Sequence, residues 1–404
     1  MRVEKDLEFI NYCIDNFREL GKLSNGGYER LAYGSVEDKM HEVFRKIAEE
    51  RGFSIEIDSV GNSFASYNVK EDGEYYLIGS HLDSVPNGGT YDGLMGVIAG
   101  LLILEKAKAD KLDIPLKVAS FRCEESSEYG RATIGSGLIT GEIREDELTK
   151  LHNKNGENLY DVLKTKGYLN TEYLIKKPKE FFEIHIEQGR VLFDKGLDIG
   201  IVNSIAAPTR FNLYISGRQD HSGATPMNMR KDALTAASEA ILELEKLGIR
   251  ELKNSTVATV GIIRNEPNVL NVISGYVMLG IDIRGIAIDS IKSVIDDFKA
   301  FLKKLKNKRN ITYVIEMISS SSPVKLNSAI VESLHEVSKK MKIPSIIMSS
   351  GAGHDAMEFA RITPTALLFI PCNEGISHNP SETAKIDDLL TASRILYEYL
   401  KEVK

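Results

Sequence analysis

Cysteine is scarce in this chain, and basic blocks and long apolar runs are missing. Each shortage closes off a class of answer. Cys13, Cys123 and Cys372 are odd in number and far apart. They make no disulfide framework, lack the paired spacing of a thiolate zinc site and suit a reducing compartment. No apolar run reaches the roughly 20 residues that cross a bilayer, and Met1 to Leu20 is charged and helical in period, unlike a secretory leader. The expected location is the cytoplasm, with no membrane contact. A formal net charge of -7 and the lack of a basic block leave no electrostatic footprint for nucleic acid. A small-molecule substrate is the expectation that remains.

What is present is a soluble globular composition, 42% hydrophobic and 27% charged over 404 residues. That length exceeds one ordinary core and implies two domains, one interrupting the other. Leu7, Ile10, Ile14 and Phe17 recur at helical spacing, and Met40, Val43, Phe44 and Ile47 form a second helical stripe from Ser35 to near Gly52. Phe53, Ile55 and Ile57 alternate as a strand, and Asp58 to Asn62 reads as a turn. Apolar strands around Tyr76 to Ser80 and Leu116 to Phe121 flank the helix after Asp92, which implies a parallel sheet with a crossover. Leu138 to Lys179 is lysine-rich and helical in patches, and carries little further information.

Near Pro208 the pattern changes. A strand at Arg210 to Gly217, a helix from Lys231 to about Leu247, strands at Thr256 to Ile263 and Tyr276 to Arg284, a helix at about Ser290 to Lys306 and a strand at Ile311 to Met317 suggest an α+β sandwich. Ser319 to Ser322 closes the insertion. The α/β pattern then resumes with a helix at Ser328 to Met341, strands at Ser345 to Met348 and Thr365 to Pro371, and a last amphipathic helix. The fold class expected is α/β. A mostly parallel-sheet catalytic domain spans 1–208 and 323–404, and a smaller α+β domain, an antiparallel sheet plus two helices, spans 209–322.

Chemistry-bearing residues gather at strand ends. Gly79 to Gly100 (GSHLDSVPNGGTYDGLMGVIAG) places His81 after a buried strand and Asp92 before a helix, where an α/β sheet leaves room for a ligand. Adjacent acids are ordinarily solvated charge, but Glu124 and Glu125 follow a buried strand, so one carboxylate can bind metal while the other moves protons. On Phe182 to Gly189 the period of 2 puts Glu183, His185 and Glu187 on one face. Five of the eight histidines, His81, His185, His221, His354 and His378, lie at such ends or in Gly/Ser/Pro loops. His41, His152 and His335 sit in helical or charged surroundings and are read as structural. Imidazoles with carboxylates suit zinc, manganese, cobalt or nickel. An Asp such as Asp92 can bridge two ions.

Gly79-Ser80-His81-Leu82-Asp83-Ser84-Val85, Asp92-Gly93, Glu124-Glu125, His185-Ile186-Glu187-Gln188-Gly189, His221 to Met227, Gly351-Ala352-Gly353-His354-Asp355 and Ile376-Ser377-His378-Asn379-Pro380 carry a family resemblance. In this order they resemble the amidase/hydantoinase/carbamoylase branch of the zinc aminoacylase and carboxypeptidase-like superfamily. The resemblance implies two divalent ions per subunit, one held by His81, Asp92 and His185, the other by Glu125, Asp92 and His378. Glu124 is then the general base that takes a proton from water and returns it to the leaving nitrogen, and Asp83 orients His81. Gln188, His221, Asn271, Arg284, Gly353 and His354 hold a carboxylate-bearing ureido substrate, with His221 also steadying the oxyanion. The inserted domain is implied to be the lid and homodimer contact.

The activity implied is hydrolysis of the ureido C–N bond of N-carbamoyl-L-amino acids. Allantoate amidohydrolase is the alternative, and a dipeptidase, an aminoacylase or a non-catalytic scaffold fits the motifs less well. Two departures stand out. Ser126 and Glu128 replace a Gly and an Arg of the usual acidic motif, and Asn203-Ser204-Ile205-Ala206 differs from the glycine-containing hinge expected there.

Overall fold

The computed structural model describes residues 2–71, 73–169 and 174–403. It divides into two compact units, Met1–Asn203 with Lys325–Lys404, and Ser204–Val324. The sequence suggested borders at 208/209 and 322/323, so the insertion starts earlier and ends slightly later. The cause is a strand, Ala207–Ser216, that begins before Pro208 and pairs from its first residue, Ala207 opposite Gly285. At the other end Ser321 donates its N–H to the Pro208 carbonyl.

The first unit is built on a nine-stranded sheet whose central members run Leu116–Phe121, Tyr76–His81, Glu180–Ile186 and Thr365–Ile370. These four run parallel to one another. Antiparallel strands flank them, Ser63–Tyr67 on one side and Ile199–Ile205 on the other. All four parallel strands therefore end on the same edge of the sheet, the edge where α/β folds bind ligands.

Helix Leu94–Ala109 crosses between the first two of these strands. It has no polar stripe because it is buried on every side from Leu94 to Leu104, as an all-apolar helix must be. A Cβ on Gly96 would lie 2.2 Å from the Ile184 carbonyl oxygen, so glycine lets helix and sheet meet closely. Strands Ser63–Tyr67 and Ile199–Ile205 escaped the sequence reading. Between 134 and 165 lie three short helices, Ile134–Thr140, Glu145–Leu148 and Leu159–Thr165.

The second unit is a four-stranded antiparallel sheet in the order Thr312–Ser320, Ala207–Ser216, Tyr276–Gly285 and Val257–Glu266. Helices Ala233–Arg250 and Ile288–Arg309 pack on it through Leu244, Phe298 and Leu302 against Phe211, Leu213 and Ile215. Each large side chain buried there contributes about 1.5–3 kcal/mol relative to exposure. The Asp232 carboxylate caps the first helix by accepting the N–H groups of Leu234 and Thr235. Among the described residues no helix is long and apolar enough to cross a membrane.

Candidate metal centre

His81 is the last residue of its strand, His185 is next to last in its own, and Glu124 and Glu125 follow the strand ending at Phe121. Asp92 precedes helix Leu94–Ala109, and His378 follows the strand ending at Ile370. The shared sheet edge thus collects residues from across the sequence. Ligand atoms of His81, Asp92 and His185 lie within 4.8 Å of one another, as do those of Asp92, Glu125 and His378. Asp92 belongs to both sets.

The proton positions follow from the acceptors nearby. Nδ1 of His81 faces the Asp83 carbonyl oxygen at 3.2 Å, and Nδ1 of His185 faces that of Ile186 at 2.9 Å. A carbonyl only accepts, so both rings carry their proton on Nδ1 and present an Nε2 lone pair. The two Nε2 atoms stand 3.4 Å apart, and they approach Asp92 Oδ1 at 3.3 and 3.0 Å. That oxygen is buried with no hydrogen-bond partner. Two facing lone pairs and an orphaned carboxylate oxygen are a donor set that fits a divalent ion. The second set presents His378 Nε2 at 3.3 Å from Asp92 Oδ2 and 3.1 Å from Glu125 Oε1.

The charges around the site tell the same story. Burial alone would raise the Asp92 carboxyl, but His185, His378 and His81 win and hold it well below the usual carboxylate range. Hydrogen bonds to Asp92 and Glu125 push His378 up to about 11. The carboxylates thus demand positive charge at this place. Burial pushes Glu124 well above the ordinary carboxylate range, opposed by His81 and reinforced by Glu125. Its Oε2 lies 3.8 Å from His81 Nε2 and bridges no ligand pair. Such a group suits proton transfer.

A family model described as peptidase family M20/M25/M40 matches residues 77–402. The chain belongs to that family. N-carbamoyl-L-amino-acid amidohydrolase of Pseudomonas sp. is 35% identical over 405 residues, 97% of each chain. Allantoate amidohydrolase of Escherichia coli is 32% identical over 379 residues, 92% of each. A solved amidase of the hydantoinase/carbamoylase family from Burkholderia multivorans superposes with a TM-score of 0.91 at 27% identity, covering 98% of this chain and 97% of that one. This M20/M25/M40 member is an amidohydrolase.

Other residues of this M20/M25/M40 member take places the sequence only partly foretold. Asp83 reaches His81 Nδ1 chiefly through its main-chain carbonyl. Its carboxylate, 3.4 Å from that nitrogen, accepts the N–H groups of Glu124 and Glu125 at 3.1 and 3.0 Å. Gln188, at φ +57, donates from Nε2 to Asp92 Oδ2 at 2.7 Å, and its own Oε1 is buried without a partner. His354 is buried, with its ring edge-on to His185 at 4.6 Å and Nε2 3.0 Å from Ser350 Oγ. It packs behind His185, while Gly353 beside it stays half-buried.

In the second unit His221 pairs with Val272 on a two-residue ladder, and Ser222 donates to the Asn271 carbonyl. Nδ1 of His221 accepts from Gly223 and Ala224 at 3.0 and 3.2 Å, which puts the ring proton on Nε2. Arg284 sets Nε and Nη2 on the Asp282 carboxylate at 3.2 and 3.1 Å.

Glu382 went unnoticed in the sequence. Buried at 3% exposure, its Oε1 accepts the N–H groups of Tyr91 and Asp92 at 3.0 and 3.1 Å, and its Oε2 accepts from Ser377 Oγ at 2.8 Å. It thereby ties the loop of Asp92 to the loop of His378. The only sequence signal was its place four residues past His378, in an ordinary-looking polar loop.

Proposed function

We propose that this chain hydrolyses the ureido C–N bond of N-carbamoyl-L-amino acids, a non-peptide linkage, to the amino acid, ammonia and carbon dioxide. The observation that carries this reading is the pair of three-ligand sets sharing Asp92, with Glu124 beside them as a carboxylate that completes neither set. In this reading His81, Asp92 and His185 hold one divalent ion and Glu125, Asp92 and His378 a second, as zinc, manganese, cobalt or nickel. When bound, such ions polarise the ureido carbonyl and acidify water.

The protein's own groups do the rest. Glu124 takes the proton of the attacking water and later delivers it to the leaving nitrogen. Gln188 steadies Asp92. His221 Nε2–H donates to the oxyanion as the carbonyl carbon becomes tetrahedral. Arg284, whose plane Asp282 fixes, takes the substrate carboxylate with Asn271 beside it, and the Gly353–His354 loop contributes main-chain contact. A second copy is proposed to cover the inserted unit, where edge strands Val257–Glu266 and Thr312–Ser320 expose Val257, Ile262, Ile263, Val314, Met317 and Ile318. Sedimentation as a monomer at all concentrations would remove that part.

The deciding experiment measures ammonia release from N-carbamoyl amino acids, N-carbamoyl-β-alanine, allantoate and dipeptides, using metal-stripped protein reloaded with each ion. Turnover is expected on the carbamoyl amino acids, and Glu124→Gln lowers it by about 100-fold or more with metal content unchanged. Ammonia from allantoate alone replaces the substrate. Cleavage of dipeptides alone refutes the ureido reading.

A further inference from the structure

The carboxylate of Glu124 is aimed by its main chain, and that main chain is strained. Cys123, just before it, sits at φ +54, a left-handed conformation that costs a non-glycine residue about 1–2 kcal/mol. Three successive N–H groups of this segment are held by two carboxylates. Asp83 accepts from Glu124 and Glu125, and Glu37, from helix Ser35–Glu50, accepts the Cys123 N–H on Oε1 at 3.2 Å. Glu37 Oε2 accepts the Tyr33 N–H at 2.5 Å and Arg122 Nη1 at 2.8 Å. Glu37 is wholly buried and Arg122 is 2% exposed.

Arg122 is fixed in turn. Its Nε donates to the Gly61 carbonyl at 2.8 Å, its Nη1 also reaches Asp38 Oδ1 at 2.9 Å, and the rings of Tyr33 and Tyr168 flank it at 5.7 and 5.8 Å. Burial pushes the Glu37 carboxyl up to about 7, opposed first by Arg122 and then by the main-chain donors, and its hydrogen-bond partners, the Tyr33 and Cys123 N–H groups and Arg122, all donate, which suits a carboxylate with both oxygens accepting.

We infer that Glu37 is a positioning residue for Glu124, holding Cys123 in its left-handed conformation so that the next side chain leaves the loop toward the metal ligands. The inference rests on the reading of Glu124 as the base. Glu37 makes no hydrogen bond or ion pair with any of the five ligand side chains, so it should affect proton transfer and leave metal binding alone. A buried ion pair that merely holds the fold would instead change the unfolding midpoint and leave the chemistry of folded molecules intact.

The test uses the full-length metal-loaded chain and whichever ureido substrate the wild type turns over. Wild-type turnover settles the base's substrate class first, so a failure there is separate from a failure of Glu37. In Glu37→Gln one end of the amide faces N–H donors with a donor of its own, which frees Cys123 or Tyr33. A displacement near 1 Å in a reacting group can cost about 100-fold. The expected result is kcat lowered about 10- to 100-fold, KM within about twofold, and metal content unchanged. Glu37→Asp can still reach Arg122 but falls short of Cys123, and should show the same split if the Gln variant does not fold. The inference is overturned if folded, metal-loaded variants keep kcat within about twofold of wild type, or if kcat falls only in proportion to lost metal.

Discussion

Glu382 offers the sharpest prediction because one buried carboxylate serves three donors, two main-chain N–H groups and the Ser377 hydroxyl. In Glu382→Gln the amide oxygen can keep the Tyr91 and Asp92 N–H groups, while its NH2 faces Ser377. A hydroxyl can reverse from donor to acceptor, and Ser377 already lies 3.3 Å from Asp92 Oδ2, so its proton has somewhere to go. What is lost is charge assistance, about 1 kcal/mol in total. Glu382→Ala differs in kind, since it strips the acceptor from two main-chain donors at about 1–3 kcal/mol each. The expected cost is about 2–6 kcal/mol plus that of the cavity left behind. With roughly 2–4 °C per kcal/mol for a large unit, calorimetry should show a drop of about 2–4 °C for Gln and more than about 4 °C for Ala. The Ala variant should also lose metal, because Asp92 and His378 are no longer tied together. Equal shifts for the two variants, or an Ala variant with full metal content, would refute the reasoning.

Three other outcomes follow from the geometry. In the two-ion reading, chelation should proceed in two stages, because the His378 side chain is 46% exposed while those of His81 and His185 are 2% and 1% exposed; simultaneous release of two ions, or binding of a single ion, in stopped-flow metal-dye assays would contradict this. Gly93→Ala should destabilise by about 2 kcal/mol or more and lose metal, because its Cβ would lie 2.5 Å from the His81 carbonyl oxygen and 2.7 Å from the ring. Gly130→Ala, also at positive φ but with nothing within 4 Å, should cost about 1 kcal/mol and keep its metal, and matching metal loss in the two would sink the argument. Arg284→Ala should raise KM about tenfold or more for carboxylate-bearing substrates and leave carbamoyl compounds without a carboxylate unaffected, and the clamp fails if both respond alike.

His81 and His185 were legible because each lies at the end of a buried strand, and Asp92 and His378 because Gly-, Ser- or Pro-rich turns carry them, and that punctuation marks the functional edge of an α/β sheet. Glu37 and Glu382 were not. Glu37 occupies the first turn of a helix, where an acid ordinarily complements the dipole, and only tertiary packing buries it against Arg122. The family resemblance places His354 with the substrate-holding residues, and its ring packs edge-on to His185. Strand Ser63–Tyr67 escaped because Ser63, Ala65 and Ser66 are small or polar, and Ile199–Ile205 because its apolar run adjoins the segment read as a hinge. Pairing partners, which no local pattern names, made both into strands.

The contact between Glu382 and Tyr91 joins residues 291 apart, and His378 meets Asp92 across nearly the same span. Closing so long a loop costs entropy that grows only as the logarithm of its length, and a clip across it returns most of that to the folded state. In the proposed two-ion reading, an ion held by Asp92, Glu125 and His378 would be a staple between the first third of the chain and its last 27 residues. On that reading, metal starvation would loosen the docking of the carboxyl-terminal helix Ile386–Glu402, and that helix would be where proteases first gain entry.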